Sequence, residues 1–473
     1  MHRLTMSDKS PCQGMDLASI RTPLRFAAMT HAFFQPPATS RYALRKLSAP
    51  RCLLPDDLAG SGPDPELVAI DLLVDQGRVA TIEPAGTLPA ELGPDLDASM
   101  VLPGLLDCHT HLDKGHIWPR QANPTGDGAG ASMATQRDRQ ARWHAEDVRR
   151  RMEFGLATAY AKGVVAIRTH LDSLAPQATI SFTVFREVRE RWAGRIALQA
   201  SSIAPLDIFL ADEGRQLADI VAESGGRLGC VTRSTRHPGD PMPPDLDDAL
   251  ARVFQLAAER GLDLDLHVDE STDPRARALI RVARTAVAQD FRGRILCGHC
   301  TALALQTDEF IEETIAACKD AGIDIVSLPT VNMYLQDRSP AGRTPRWRGV
   351  TVLHEMKARG LRVAVAGDNC RDPFYAYGDH DMLDTFTQAV KILHLDHPLS
   401  DWIRAASQTP AAIMGLDLGV LKPGMAADLL VLKARNYSEM LSRAQFDRTV
   451  LRAGRAIDTA LPDYRLLDDL MHA

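Results

Sequence analysis

The sequence predicts an α/β protein: a (β/α)8 TIM-type barrel with a small β-sandwich domain formed from both flanks of the chain. Three observations predict it. The chain has 473 residues, more than one globular core usually takes. Short apolar runs alternate with longer amphipathic stretches over about 300 residues, the pattern of repeated β-then-α units. β-rich segments stand at both ends of that alternation and can pair with each other in space.

Taken in order, residues 1–40 read as a poorly ordered extension, because they lack the compact apolar run and cleavage site of a secretory signal. Residues 41–103 are rich in β-branched residues, Pro, Gly and Asp. Within them VAIDLLVDQGRVATIEP reads as two strands joined by a hairpin-type turn at Asp75-Gln76-Gly77. Residues 418–466 supply the matching β-like runs GMAADLLVLKARN and FDRTVLRAGRAID. Between the flanks, residues 104–417 carry the barrel pattern. Its strand candidates are VVAIRTH, RIALQA, DLDLHVD, RILCGH, DIVSLP and RVAVAGD; DLDDALARVFQLAAERG and TDEFIEETIAACKDAG are helix candidates. A doubly wound sheet is the main competitor, weakened because no G-x-G-x-x-G follows an early strand.

Composition narrows the partners. A formal charge of −7 argues against a nucleic-acid partner, which a basic surface excess normally serves. No run approaches the ~18 apolar residues of a membrane span. Eight cysteines in so long a chain form no dense framework, so reduced thiols in a cytoplasmic protein are expected. Cys297 and Cys300 have CxxC spacing, but no second such pair accompanies them and the local strand pattern explains them better.

The chemistry concentrates at the ends of apolar runs, where a barrel places its active site. In MVLPGLLDCHTHLDK, His109 and His111 are one residue apart, so on a strand both imidazoles project to one face. Two neutral imidazoles on one face suit a borderline divalent metal. Alone, an HxH is more often structural. Here His267 ends DLDLH with Glu270 three residues on, His299 ends RILCGH, and Asp368 ends RVAVAGD. One such group is usually a satisfied core residue; several at separate strand ends point to a shared basin.

The ordered set resembles the amidohydrolase superfamily. The surrounding words LPGLLDCHTHLDKG, IRTHLD, LHVDE, GHCTAL, LPTVNMYLQDR, RWRGVTVLHEMKARG and GDNCRDPFYAYGDHDML are similar to its cytosine deaminase-like branch, and GVLKPGMAADLLVL to its C-terminal strand. The resemblance covers residues 49–458. It implies one divalent metal, Fe2+ or Zn2+, held by His109, His111, His267 and Asp368. It implies catalytic roles for Glu270, which would protonate a ring nitrogen, for His299, which would hold the incoming oxygen, and for Asp368, which would accept a proton from water. The implied activity is hydrolytic deamination of a small aminated heterocycle, cytosine or a close analogue, with release of ammonia. Two rivals stay open: hydrolysis of a cyclic amide or of a substituted amino-triazine ring, and a non-catalytic barrel acting as a binding module. A small-molecule substrate is the expected partner, and a homo-oligomer is compatible with the resemblance.

RLGCVTRSTRH offers no lysine of the kind binuclear relatives carboxylate, which favours one metal. His170 in IRTHLD reads as a packing or supporting group. Two departures bear on substrate. Relatives that deaminate cytosine carry a glutamine where this chain has Leu206, and a hydrocarbon cannot hold a pyrimidine by hydrogen bonds. Asn369 stands where some members have a second aspartate. Gln336 and Trp118 are further candidates for substrate contact, Trp118 in a Gly- and Pro-rich loop suited to a lid. Asp113 and Lys114 fit either a pocket mouth or a salt-linked loop, and Arg343 and Arg346 a solvated face.

Overall fold

β-Branched and leucine-rich runs on the two flanks pair with each other, because each has one apolar face to cover. In the computed structural model, which describes residues 33–58, 65–339 and 342–472, these runs are β1 (Arg41–Pro50), β2 (Leu67–Asp75), β3 (Arg78–Pro84) and β4 (Met100–Pro103) from the N-terminal flank. Most of the expected extension lies outside the described residues. Of it, Phe33 and Phe34 pack against the core of the flank sheet.

The central strands, all parallel, are β5 (Leu105–Thr110), β6 (Val164–Asp172), β7 (Ala197–Ile203), β8 (Leu264–Val268), β9 (Ile295–His299), β10 (Ile323–Ser327) and β11 (Val363–Val365). The C-terminal flank adds β12 (Leu429–Leu432), β13 (Thr449–Arg452) and β14 (Arg455–Ala456). The flank strands form one seven-stranded sheet in the order β14-β13-β12-β4-β1-β2-β3. Its seam joins the chain's two ends: Leu430 faces Leu102 of β4 on one side and Val450 of β13 on the other. The β2–β3 turn falls at Gln76-Gly77, both at positive φ (48° and 77°), the geometry a two-residue hairpin requires.

The central strands depart from a continuously paired barrel. Regular ladders give two open sheets, β5-β6-β7 and β11-β10-β9-β8. Isolated bridges join them: residues 227–231 lie between β7 and β8, and Thr110 bridges Asp368. Both interruptions have local causes. Gly229 is pinched so tightly that a Cβ would lie 2.3 Å from the Ser202 carbonyl oxygen and 2.4 Å from that of Asp265. At the other, Asp368 takes a left-handed φ of 61°, which no strand sustains.

Helices cover the outside. The predicted helix Leu246–Arg260 buries Leu250, Val253, Phe254 and Ala257 at helical spacing and stops at Gly261, whose φ of 63° suits glycine. Asp308–Asp320 starts at Thr307, whose hydroxyl accepts from the Phe310 N–H. Burying one such leucine or phenylalanine contributes about 1.5–3 kcal/mol. Among the described residues no helix is long and apolar enough to cross a membrane. The seven described cysteines are unpaired.

Candidate active site

The C-terminal ends of the central strands converge on one buried cluster. His109 on β5 and His267 on β8 bring their Nε2 atoms to 3.1 Å, and His267 Nε2 lies 3.3 Å from His111 Nε2. Asp368 Oδ1 stands 3.1 Å from His111 Nε2 and 3.6 Å from His109 Nε2. All four side chains are nearly inaccessible to solvent. Backbone locks them in place. The Asp368 N–H donates to the His109 carbonyl (2.8 Å), and the Asp368 carbonyl accepts from the His111 N–H and the Thr110 hydroxyl. Gly298 clears the space for His109, since a Cβ there would sit 2.8 Å from the ring.

This donor set fits a divalent metal ion. Donors about 2.0–2.1 Å from a tetrahedral zinc lie about 3.3 Å from one another, and the nitrogen–nitrogen spacings here are 3.1 and 3.3 Å. Burial holds all three histidines well below their ordinary pKa, so they stand neutral, the form that ligates. Burial first, then Glu270, pushes the Asp368 carboxyl well above its ordinary value. Neither of its oxygens has a hydrogen-bond donor among the described residues, so a cation is the group that would satisfy it.

Beside this floor stand Glu270 and His299. The Glu270 side chain is 10% exposed, and its Oε1 lies 3.5 Å from His299 Nδ1. Asn332, fully buried on the helix Pro329–Leu335, joins them: its Nδ2 donates to His299 Nδ1 (2.9 Å) and to Glu270 Oε1 (3.4 Å). The donation to the Glu270 oxygen fixes the amide's orientation; His299 Nδ1 is then the acceptor and Nε2 carries the proton. Burial lowers the pKa of His299, against the pull of Glu270, keeping the ring neutral. His299 sits at a strained φ of 69°. Asp269 anchors the loop that carries Glu270 by accepting the Ala278 and Leu279 N–H groups (2.9 Å each) at a helix N-terminus.

A cavity of about 1000 Å³ opens above the floor. Gln336 and Asn369 line it, with Asn369 Nδ2 donating to Asp372 Oδ2 at 2.8 Å. Lys114 lines it too and is also salt-linked, to Asp172 at 2.8 Å, so both expectations for it hold at once. Leu206 and Trp118 are not brought to its wall. Leu206 is buried among apolar side chains at the start of a short 3-10 turn, and Trp118 is tied by its N–H to the Arg371 carbonyl. Arg343 is committed to Asp337, which also accepts from the Arg346 N–H, so this pair shapes a loop.

Sequence reasoning missed one feature and foresaw the role, though not the position, of another. Asn332 lies in the quoted word LPTVNMYLQDR, but a buried asparagine on a helix carries no signal of what it will touch. His170 lies nearer the floor than expected: its ring centroid is 4.0 Å from that of His109, while its Nε2 pairs with Asp265 Oδ1 at 3.0 Å and Asp265 in turn holds Arg168.

Residues 185–457 match the amidohydrolase family. Over 450 residues the chain is 50% identical to the pterin deaminase of Rhizobium rhizogenes, covering 94% of this chain and 100% of the relative. The chain belongs to the amidohydrolase family. A more distant relative is the N-isopropylammelide isopropyl amidohydrolase of Pseudomonas sp., 24% identical over 79% of this chain and 89% of its own length. The amidohydrolase fold is also seen in the 5-methylcytosine deaminase of Klebsiella pneumoniae, with a TM-score of 0.75, 22% identity and coverage of 89% of this chain and 98% of that one. The family match takes in His267, Glu270, His299 and Asp368, while His109 and His111 precede it.

Proposed function

We propose that this amidohydrolase catalyses metal-dependent hydrolytic deamination of an amino-substituted nitrogen heterocycle, and that the heterocycle is a pterin. The observation that carries the reaction class is the Glu270–Asn332–His299 relay set beside the buried His109, His111, His267 and Asp368, whose donor atoms converge at metal-ligand spacing. A divalent ion there would supply the Lewis acidity that brings the pKa of water near neutrality.

The chain's own residues divide the proton transfers. Asp368 takes one proton from the attacking water and later delivers it to the departing amino group. Glu270 gives a proton to the ring nitrogen next to the amino-bearing carbon and recovers one from the new hydroxyl. His299 Nε2–H donates to the incoming oxygen. Asn332 holds Glu270 and His299 in register. The ring keeps one added N–H and a carbonyl, and ammonia leaves.

The ring itself is assigned on two grounds. The 50%-identical relative is a pterin deaminase. The expected cytosine finds less support, because Leu206 lies in the apolar core and offers no hydrogen bond to a pyrimidine. A cavity of about 1000 Å³ also exceeds what one small pyrimidine needs and has room for a bicyclic ring.

The test is ammonia release and loss of the amino-pteridine chromophore with metal-loaded protein, pterin against cytosine, ammelide-type triazines and cyclic amides. Turnover of pterin with stoichiometric ammonia supports the assignment. Ammonia from cytosine alone would overturn the ring assigned, and ring opening or release of a substituted amine would overturn deamination.

A further inference from the structure

The loops that follow β5 and β11 meet a second time, away from the cavity. His116, Cys370 and His380 each bring one donor atom, and all three atoms lie within 4.8 Å of one another. None of the three lines the cavity. His116 is 2% exposed, Cys370 3% and His380 8%. The two imidazole centroids are 5.7 Å apart.

Like the floor, this cluster holds buried polar atoms without partners. Neither ring nitrogen of His116 has a hydrogen-bond partner among the described residues, and His380 Nε2 has none. A buried polar atom left unpaired loses its hydration with nothing in return, and native proteins nearly always avoid it. The neighbours offer no remedy. Phe154 stacks edge-on against His116 with centroids 4.8 Å apart, and the adjoining helix presents Gly155, where a Cβ would lie 3.0 Å from His380 Nε2. Arg151 is committed to Asp147 and to the Asp113 and Gly115 carbonyls. The backbone already brings the loops together, the His116 N–H donating to the Cys370 carbonyl at 3.0 Å. Burial leaves both imidazoles neutral, His380 being held down at about 4.

The geometry points to a second metal site, in which His116, Cys370 and His380 hold a zinc-class divalent cation and clamp together the loops that leave β5 and β11. Two imidazoles and a sulfur are a soft donor set that selects such a cation over magnesium or calcium. Binding forms two metal–nitrogen bonds and one metal–sulfur bond, and the Cys370 thiol releases its proton to solvent. Donors around a tetrahedral zinc lie about 3.3–3.7 Å apart, so the side chains close by about 1 Å as the ion enters. The site stands whether or not the deamination reading holds.

The cluster on the cavity floor contains no sulfur, which separates the two sites in one experiment. The full-length protein is loaded with Zn2+, and in parallel with Co2+, and its metal content and near-ultraviolet spectrum are measured. Two equivalents per chain and a thiolate-to-cobalt charge-transfer band are expected. Cys370→Ser removes the band and one equivalent, while His267→Ala keeps the band. His380→Gln also drops one equivalent and serves if Cys370→Ser does not fold. One equivalent per chain with no band overturns the proposal, as do two equivalents that survive both Cys370→Ser and His380→Gln.

Discussion

The floor and the rim of the cavity are built by opposite means. The floor takes His109 and His267 from strands and His111 and Asp368 from the residues just beyond strands, with His299 beside it at the end of its own strand, all nearly inaccessible and held by backbone hydrogen bonds. The rim is made of loops and carries exposed charge: the Arg233 side chain is 48% exposed, with Nη2 3.0 Å from the Glu270 carbonyl and 3.4 Å from its Oε2. A strand end fixes a side chain to within its own rigidity, so the floor can hold a geometry before any ligand arrives. A loop gives that up in exchange for adaptable contact. On the proposed mechanism the metal-binding chemistry falls to the first and choice of substrate to the second, with Glu270 on the loop between them.

The largest expected effect tests whether the floor is a metal site. His267→Ala should strip the floor's metal and abolish turnover, read by metal analysis alongside ammonia release. Retained metal at that site would break the comparison at its base. Next, Glu270→Gln should lower kcat by about 10²- to 10⁴-fold with metal content unchanged, as expected for loss of a general acid–base group. Full activity would remove Glu270 from the mechanism.

Asn332→Ala should cost about 10- to 100-fold in kcat, with KM little changed, the usual consequence of losing a group that orients a reactive one. A change confined to KM would place Asn332 among substrate contacts instead. Arg233→Ala should do the reverse, raising KM by several-fold with kcat nearly intact, because exposed ion pairs contribute about 1 kcal/mol or less.

The last effect is on stability rather than turnover and concerns Asp372, which accepts from the Asn369 amide. Burial pushes its carboxyl up to about 6, against an ordinary 3.8. The folded state therefore holds this proton more tightly than the unfolded chain does. Stability attributable to the group is present below pH 3.8, declines as pH rises from 3.8 to about 6, and is flat above; the total is about 3 kcal/mol at 1.36 kcal/mol per pKa unit. Asp372→Asn should flatten that stretch of the denaturant-derived stability profile relative to the parent protein. An unchanged slope would show that the carboxyl titrates normally.

The sequence by itself picked out the residues of the candidate site. His109, His111, His267, Glu270, His299 and Asp368 were legible because each ends or closely follows an apolar run, and a strand's period and a barrel's polarity aim such residues at one place. The hairpin at Gln76-Gly77 and the helix ending at Gly261 were legible for the same kind of reason, since backbone geometry there depends on a few adjacent residues. Only the tertiary structure decided the rest. It showed that Asn332 links two catalytic candidates from different strands, that Leu206 turns into the apolar core, and that Trp118 belongs to a loop contact. It replaced a continuous ladder with isolated bridges at Gly229 and Asp368. It also brought together His116, Cys370 and His380 from two loops. Contacts between residues hundreds of positions apart leave no period in the chain, because they arise from how strands and helices pack and not from what any segment prefers alone.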